Sequence, residues 1–181
     1  MERKRIMYKI ETFLELPIAH CLSEAYSGLC VGNVYRDKGQ CDGKNDRYDL
    51  KNGKVLQVLH GHSYNVTVAL ETEALNKAGM VVDFKLMKKI IHDHLDQFDH
   101  SMILTKGNPL IDIYKKNYEE NGIDFERSRL FVWDKNPTAE YMAQKWTDEL
   151  SGIFTENHVC GNVSVTVEET AHNKVTYKKG F

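Results

Sequence analysis

Leu59-His-Gly-His-Ser-Tyr-Asn-Val-Thr-Val-Ala-Leu-Glu-Thr72 is the stretch on which the fold turns. From Ser63 onward Tyr64, Val66, Val68 and Leu70 fall on one face. Asn65, Thr67 and Glu71 fall on the other, with Ala69 the one apolar exception. A two-residue period of this kind specifies a half-buried strand. His60 and His62 stand just ahead of it, and residues i and i+2 of a strand point the same way. Gly61 between them leaves room for close approach. Local spacing keeps two readings open: two imidazoles converging on one metal ion, or two surface histidines beside a turn. A catalytic zinc takes three protein ligands and keeps one position open. His20, at the end of the first strand, is the candidate for the third.

Outward from this strand, residues 4–16 read as a first strand ending near Pro17. Periodicity is then lost until about residue 54, and Asp37-Lys-Gly-Gln-Cys-Asp-Gly-Lys-Asn-Asp46 is built from turn residues. Gly79-Met-Val-Val-Asp-Phe84 is strand-like and feeds a helix over 84–98, where Met87, Ile90, Ile91, Leu95 and Phe98 recur at helical spacing. Residues 106–127 are polar and mixed, with room for a short helix, and 129–133 form a brief apolar strand. Asn136-Pro137 reads as an N-cap followed by proline at the first helical position. The helix it opens runs to about residue 154, burying Met142, Ala143, Trp146, Leu150 and Ile153. Strands over 162–169 and 174–179 follow, joined through Ala171-His172-Asn173. The expectation is one α+β domain over 1–181, with long loops at about 21–55 and 106–127 and helices on one face of an antiparallel sheet.

Composition excludes some classes. The chain has 181 residues, 41% apolar and 28% charged, with a formal net charge of −2. Such a balance exerts no global pull toward nucleic acid or membrane. No run approaches the roughly 20 apolar residues of a membrane span, and the N-terminal residues lack the apolar core of a signal peptide. Cys21, Cys30, Cys41 and Cys160 form no CxxC pair, so free thiols in a reducing cytoplasm are expected, with Cys160 a buried small hydrophobe.

Other chemistry-bearing residues carry two readings each. His92 and His94 repeat the HxH spacing, but on a helix such positions diverge, which makes them helix-surface histidines. Asp99-His100 is either a carboxylate fixing the tautomer of a general base or a charge arrangement at a helix end. Glu168 and Glu169 close a strand on opposite faces, so one can anchor a ligand while the other is solvated. Glu140 sits in a first helical turn, where the dipole favours it.

Taken together, Ala19-His20, Leu59-His-Gly-His-Ser-Tyr64, Gly79-Met-Val-Val-Asp-Phe84 with Leu86-Met-Lys88, Phe98-Asp-His100, Asn136-Pro-Thr-Ala-Glu140 and Val167-Glu-Glu-Thr170 resemble the 6-pyruvoyltetrahydropterin synthase and 6-carboxytetrahydropterin synthase family. The blocks stand in the family's order and span nearly the whole chain. The resemblance implies the tunnelling fold: a four-stranded antiparallel sheet with two helices, assembled into an oligomeric barrel, a trimer or homohexamer with sites between subunits. It implies Zn2+ on His20, His60 and His62, and a small-molecule pterin substrate held by Glu169, with Thr138 and Glu140 bordering its pocket. It implies a catalytic Asp99–His100 pair working with a cysteine. The family's usual cysteine window before HGH holds none here. Counting forward from His20 instead selects Cys30, with an insertion over about 31–55, and leaves Cys41 and Cys21 as weaker candidates. Val82-Asp-Phe-Lys-Leu-Met-Lys88 resembles the carboxy-forming branch that serves queuosine biosynthesis. The implied reaction is loss of acetaldehyde and triphosphate from 7,8-dihydroneopterin triphosphate. The alternatives are the pyruvoyl-forming synthase or a non-catalytic pterin-binding relative.

Overall fold

A computed structural model describes residues 7–22, 48–51, 54–57 and 59–181. Eight strands and three α-helices occur among them: β1 (Tyr8–Cys21), β2 (Tyr48–Lys51), β3 (Lys54–Gln57), β4 (His60–Thr72), α1 (Phe84–Leu95), β5 (Ser101–Thr105), α2 (Pro109–Glu120), β6 (Leu130–Trp133), α3 (Ala139–Glu156), β7 (Asn162–Thr170) and β8 (Asn173–Gly180). Six strands form one sheet in the order β6-β5-β1-β4-β7-β8, and β2 pairs with β3 separately. The expected four-stranded antiparallel sheet with two helices is therefore a mixed six-stranded sheet with three helices, because β5 and β6 pair in parallel.

By compactness the chain divides into two units, the first comprising Met1–Ile18, His62–His100 and Thr138–Phe181. In it β4 and β7 run antiparallel with Val66 opposite Val167 and Val68 opposite Val165, and all four are fully buried. The alternation read from the sequence thus aims Tyr64, Val66, Val68 and Leu70 into the core. Helices α1 and α3 cover this face with Met87, Ile91 and Leu95 from one and Met142, Ala143, Trp146, Leu150 and Phe154 from the other. Phe98 meets Trp146 at 5.5 Å between ring centroids. Ile153 is only half-buried; one residue on, Phe154 takes the core position. Thr147 is buried and ties α3 to two strands: its hydroxyl accepts from the Val165 N–H and donates to the Tyr177 carbonyl.

Several local expectations shift. β1 does not stop near Pro17. Proline's fixed φ suits extended backbone, and Leu14, Leu16, Ile18 and His20 keep the two-residue period through it. Residues 79–82 are not a strand. Asn76 organises them as a turn, its Oδ1 accepting from the N–H groups of Ala78 and Met80, with Gly79 at φ +75°. Asp83 then caps α1 by accepting from Lys85 and Leu86. The cap of α3 is Thr138, not Asn136; its hydroxyl accepts from the Tyr141 N–H.

The second unit comprises Ala19–Gly61 and Ser101–Pro137. Here 106–127 is no loop. It carries α2, capped by Asn108 with Pro109 in the first turn, and a 3-10 turn at Phe125–Ser128. Ile111 of α2 packs with Cys21 and Leu104 in a small core, flanked by Leu59, Met102, Leu110 and Leu130. The strand β5 supplies Leu104, and its five residues were too few to show a period.

His94 is more than a surface residue. Its Nε2 lies 3.0 Å from Glu149 on α3, which also takes a 2.5 Å bond from Lys145. Burial pushes the Glu149 carboxyl up, but the bonds from His94 and Lys145 and their charge outweigh that and hold it below the ordinary value. A depressed carboxylate contributes stability that is present above its unfolded pKa, about 4.3, and lost as pH falls through the folded value. Glu149→Gln is expected to lower the melting temperature at pH 7 and to lose that effect near pH 3. An equal deficit at both pH values would show that the charge plays no part.

Candidate metal centre

The period that fills the core also builds the site. On β4 the buried row Leu70, Val68, Val66, Tyr64 continues outward as His62 and His60, the same face now open enough for polar chemistry. On β1 the row Leu14, Leu16, Ile18 ends at His20, which is 2% exposed. Each of His20, His60 and His62 offers a ring nitrogen, and these three atoms all lie within 4.8 Å of one another. The rings of His20 and His60 are 4.5 Å apart at their centroids. These are the three histidines that the sequence reading grouped, and together they could hold a metal ion.

Donor chemistry shows that the group suits a metal ion. His20 Nδ1 lies 2.8 Å from the Pro137 carbonyl oxygen. A carbonyl only accepts, so Nδ1 carries the proton and the lone pair of the neutral ring is on Nε2. A ligating histidine is commonly oriented in this way, by donation from its other nitrogen to a backbone carbonyl. Three imidazoles with one position left over form a donor set that fits a catalytic zinc.

Glu169 brings a carboxylate up to this group. It follows Val163, Val165 and Val167 on the inward face of β7, and its Oε1 is 3.4 Å from His62 Nε2. Glu168 points the other way and pairs with Lys174. Tyr64 packs against His62 at 5.4 Å. Burial first, and the Glu169 charge second, push its phenol far above the ordinary value, so Tyr64 stands neutral beneath the site. The sequence reading took Tyr64 for core and missed this second role.

The other candidates are placed as follows. Asp99 and His100 form their own pair, Nδ1 to Oδ2 at 3.0 Å, in the turn before β5. His100 has φ +50° and a largely exposed side chain, 74%. A left-handed histidine is an uncommon conformation, and such outliers gather at functional sites. Thr138 caps α3 and Glu140 sits exposed in its first turn, so both also have a structural reason for being there. Cys30 and Cys41 lie outside the described residues. Cys21 is buried, and burial pushes its thiol up against the opposing hydrogen bond from Asn108. Cys160, expected to be buried, is exposed, because it falls in the turn ahead of β7.

Comparison with known proteins gives the family. The family model described as 6-pyruvoyl tetrahydropterin synthase matches residues 9–180. The chain belongs to the 6-pyruvoyl tetrahydropterin synthase family. Among curated members, the 6-carboxy-5,6,7,8-tetrahydropterin synthase of Aquifex aeolicus is 32% identical over 124 residues, covering 67% of this chain and 74% of that protein. The protein of the same description from Rickettsia conorii is 33% identical over 114 residues, 61% and 73% of the two chains. In fold, an uncharacterized protein from Wolinella succinogenes superposes with a TM-score of 0.63 at 19% identity, over 95% of this chain and 98% of that one. The 6-pyruvoyl tetrahydropterin synthase of Plasmodium falciparum gives 0.60 at 18%, over 97% and 99%. At these identities the two structures speak for the fold alone. No helix among the described residues is long and apolar enough to cross a membrane.

Protein purified without an affinity tag is expected to carry one divalent ion per chain by elemental analysis. His60→Ala is expected to lose it while keeping the far-UV circular dichroism of the parent.

Proposed function

We propose that this member of the family is a zinc-dependent lyase of the carboxy-forming branch. Its reaction takes 7,8-dihydroneopterin triphosphate and water to 6-carboxy-5,6,7,8-tetrahydropterin, acetaldehyde and triphosphate. The observation that carries the reading is the three-histidine group with Glu169 beside it on one inward face. The names of the Aquifex and Rickettsia relatives support the branch.

In this reading Glu169 accepts two parallel N–H bonds from the amino-pyrimidine edge of the pterin, a pairing only a carboxylate can make in full. That contact sets how far the substrate side chain reaches toward His20, His60 and His62. Zinc, when bound, supplies Lewis-acid chemistry that makes the side-chain hydroxyl protons easier to remove. His100 moves a proton at a side-chain carbon through Nε2, because Nδ1 is committed to Asp99 and the ring is thereby held in one tautomer. Cys30 is the proposed second proton carrier. Thr138 and Glu140 border the pterin pocket. Assembly into a barrel of subunits, in the cytoplasm and with no nucleic-acid partner, completes the proposal. Support for assembly comes from Phe13, 77% exposed on the outward face of β1, and from the open edge of β8.

The deciding experiment is incubation of zinc-loaded protein with 7,8-dihydroneopterin triphosphate, followed by mass spectrometry of the pterins. A 6-carboxy product with acetaldehyde is expected, and Cys30→Ala is expected to abolish it with zinc content unchanged. A 6-pyruvoyl product would move the chain to the other branch, and full turnover by Cys30→Ala would remove that residue from the mechanism.

Glu169→Gln keeps size and shape but exchanges an acceptor for a donor. Pterin affinity is expected to fall by about 10-fold or more, the scale of a charge-assisted hydrogen bond lost. Zinc affinity, measured by chelator competition, is expected to change far less.

A further inference from the structure

The His20 ring is bonded to a backbone carbonyl, and a side-chain bond from a different strand holds the residue before the one that carries that carbonyl. Pro137 is buried, and its oxygen receives the His20 Nδ1 proton at 2.8 Å across 117 positions of sequence. Proline has no N–H, so Pro137 itself offers no backbone donor to hold it in place. The residue before it provides the anchor. Asn136 Oδ1 accepts a hydrogen bond from Thr105 Oγ1 at 2.7 Å. Thr105 is the last residue of β5, in register with Trp133 of β6, and the Lys106 N–H donates to the Trp133 carbonyl to close the end of the pair. The path from a rigid parallel pair to the imidazole is therefore short: Thr105, Asn136, the Pro137 carbonyl, His20.

We propose that Thr105 is a positioning residue for the metal centre, acting through Asn136 and the Pro137 carbonyl to hold His20 in the tautomer with Nδ1 protonated and the lone pair on Nε2. This rests on the reading of the three histidines as a metal site. The small core behind the ligands fits the same role. Cys21 and Leu59, the chain neighbours of His20 and His60, pack together with Ile111 and Leu110 of α2. The chain neighbours of both ligands are thus held by packing, while the His20 ring is held through the Pro137 carbonyl. Outer partners of this kind change metal affinity by about 10- to 100-fold when removed.

The test uses the full chain. Thr105→Val keeps the shape and deletes the hydroxyl, Thr105→Ser keeps the hydroxyl, and Asn136→Ala deletes the acceptor. Zinc dissociation constants come from competition with a chromophoric chelator, the His20 tautomer from nitrogen-15 NMR of the metal-free protein, and folding from its melting temperature. Thr105→Val and Asn136→Ala are each expected to weaken zinc about 10- to 100-fold. The double variant should be no worse than either alone, and Thr105→Ser should match the parent. In the metal-free protein His20 should be Nδ1-protonated in the parent and a mixture of tautomers in Thr105→Val. Parental zinc affinity in a folded Thr105→Val overturns the proposal, as does additive loss in the double variant. Absence of zinc binding by the parent defeats the metal reading itself. The tautomer then decides the positioning role alone, an unchanged His20 in Thr105→Val overturning it.

Discussion

Two long strands that each carry a buried row at a two-residue period are the constraint on which the rest of the structure depends. In β4 the period cannot slip by one residue without turning Tyr64, Val66, Val68 and Leu70 out of the core and exposing four fully buried side chains. Burial of each is worth roughly 1.5–3 kcal/mol, so the register is not negotiable. Because His62 and His60 belong to the same row, the energy that fixes the core also fixes the direction of the imidazoles. No separate device is needed to aim them.

The same economy holds on β1 and β7. His20 ends a buried row that begins at Leu14, and Glu169 ends one that begins at Val163. In each strand, apolar residues fill the interior and the last inward position carries the polar group. The site is accordingly the rim of a hydrophobic core. Its ring nitrogens and carboxylate work against apolar walls, where electrostatic interactions are stronger than in water. Tyr64 marks the boundary: fully buried, kept neutral by burial and by Glu169, and in contact with His62.

The segments between these strands do different work. α1 and α3 close the core and are tied to each other by His94, Glu149 and Lys145. α2 and β5 build a second, smaller core against the chain neighbours of two histidines. Asp99 and His100 stand apart from both. Their pair is held by a local bond and a left-handed backbone rather than by packing.

By itself the sequence determined whatever a strong period or a motif can encode. The strand at HGH, the α1 stripe from Met87 to Phe98 and the final hairpin were all legible, since each follows from side-chain periodicity or from turn residues between two periodic runs. Tertiary structure decided what depends on distant partners. β5 is five residues long, too short to show a period, and its pairing with β6 made a sheet read as antiparallel into a mixed one. Residues 79–82 have the composition of a strand, but Asn76 bonds them into a turn. α3 is capped by Thr138, directly after the Pro137 carbonyl that bonds His20, and no local pattern announces a bond across 117 positions. Periodicity is written into neighbouring residues and survives any context, whereas a hydrogen bond between remote segments exists only once the chain has folded.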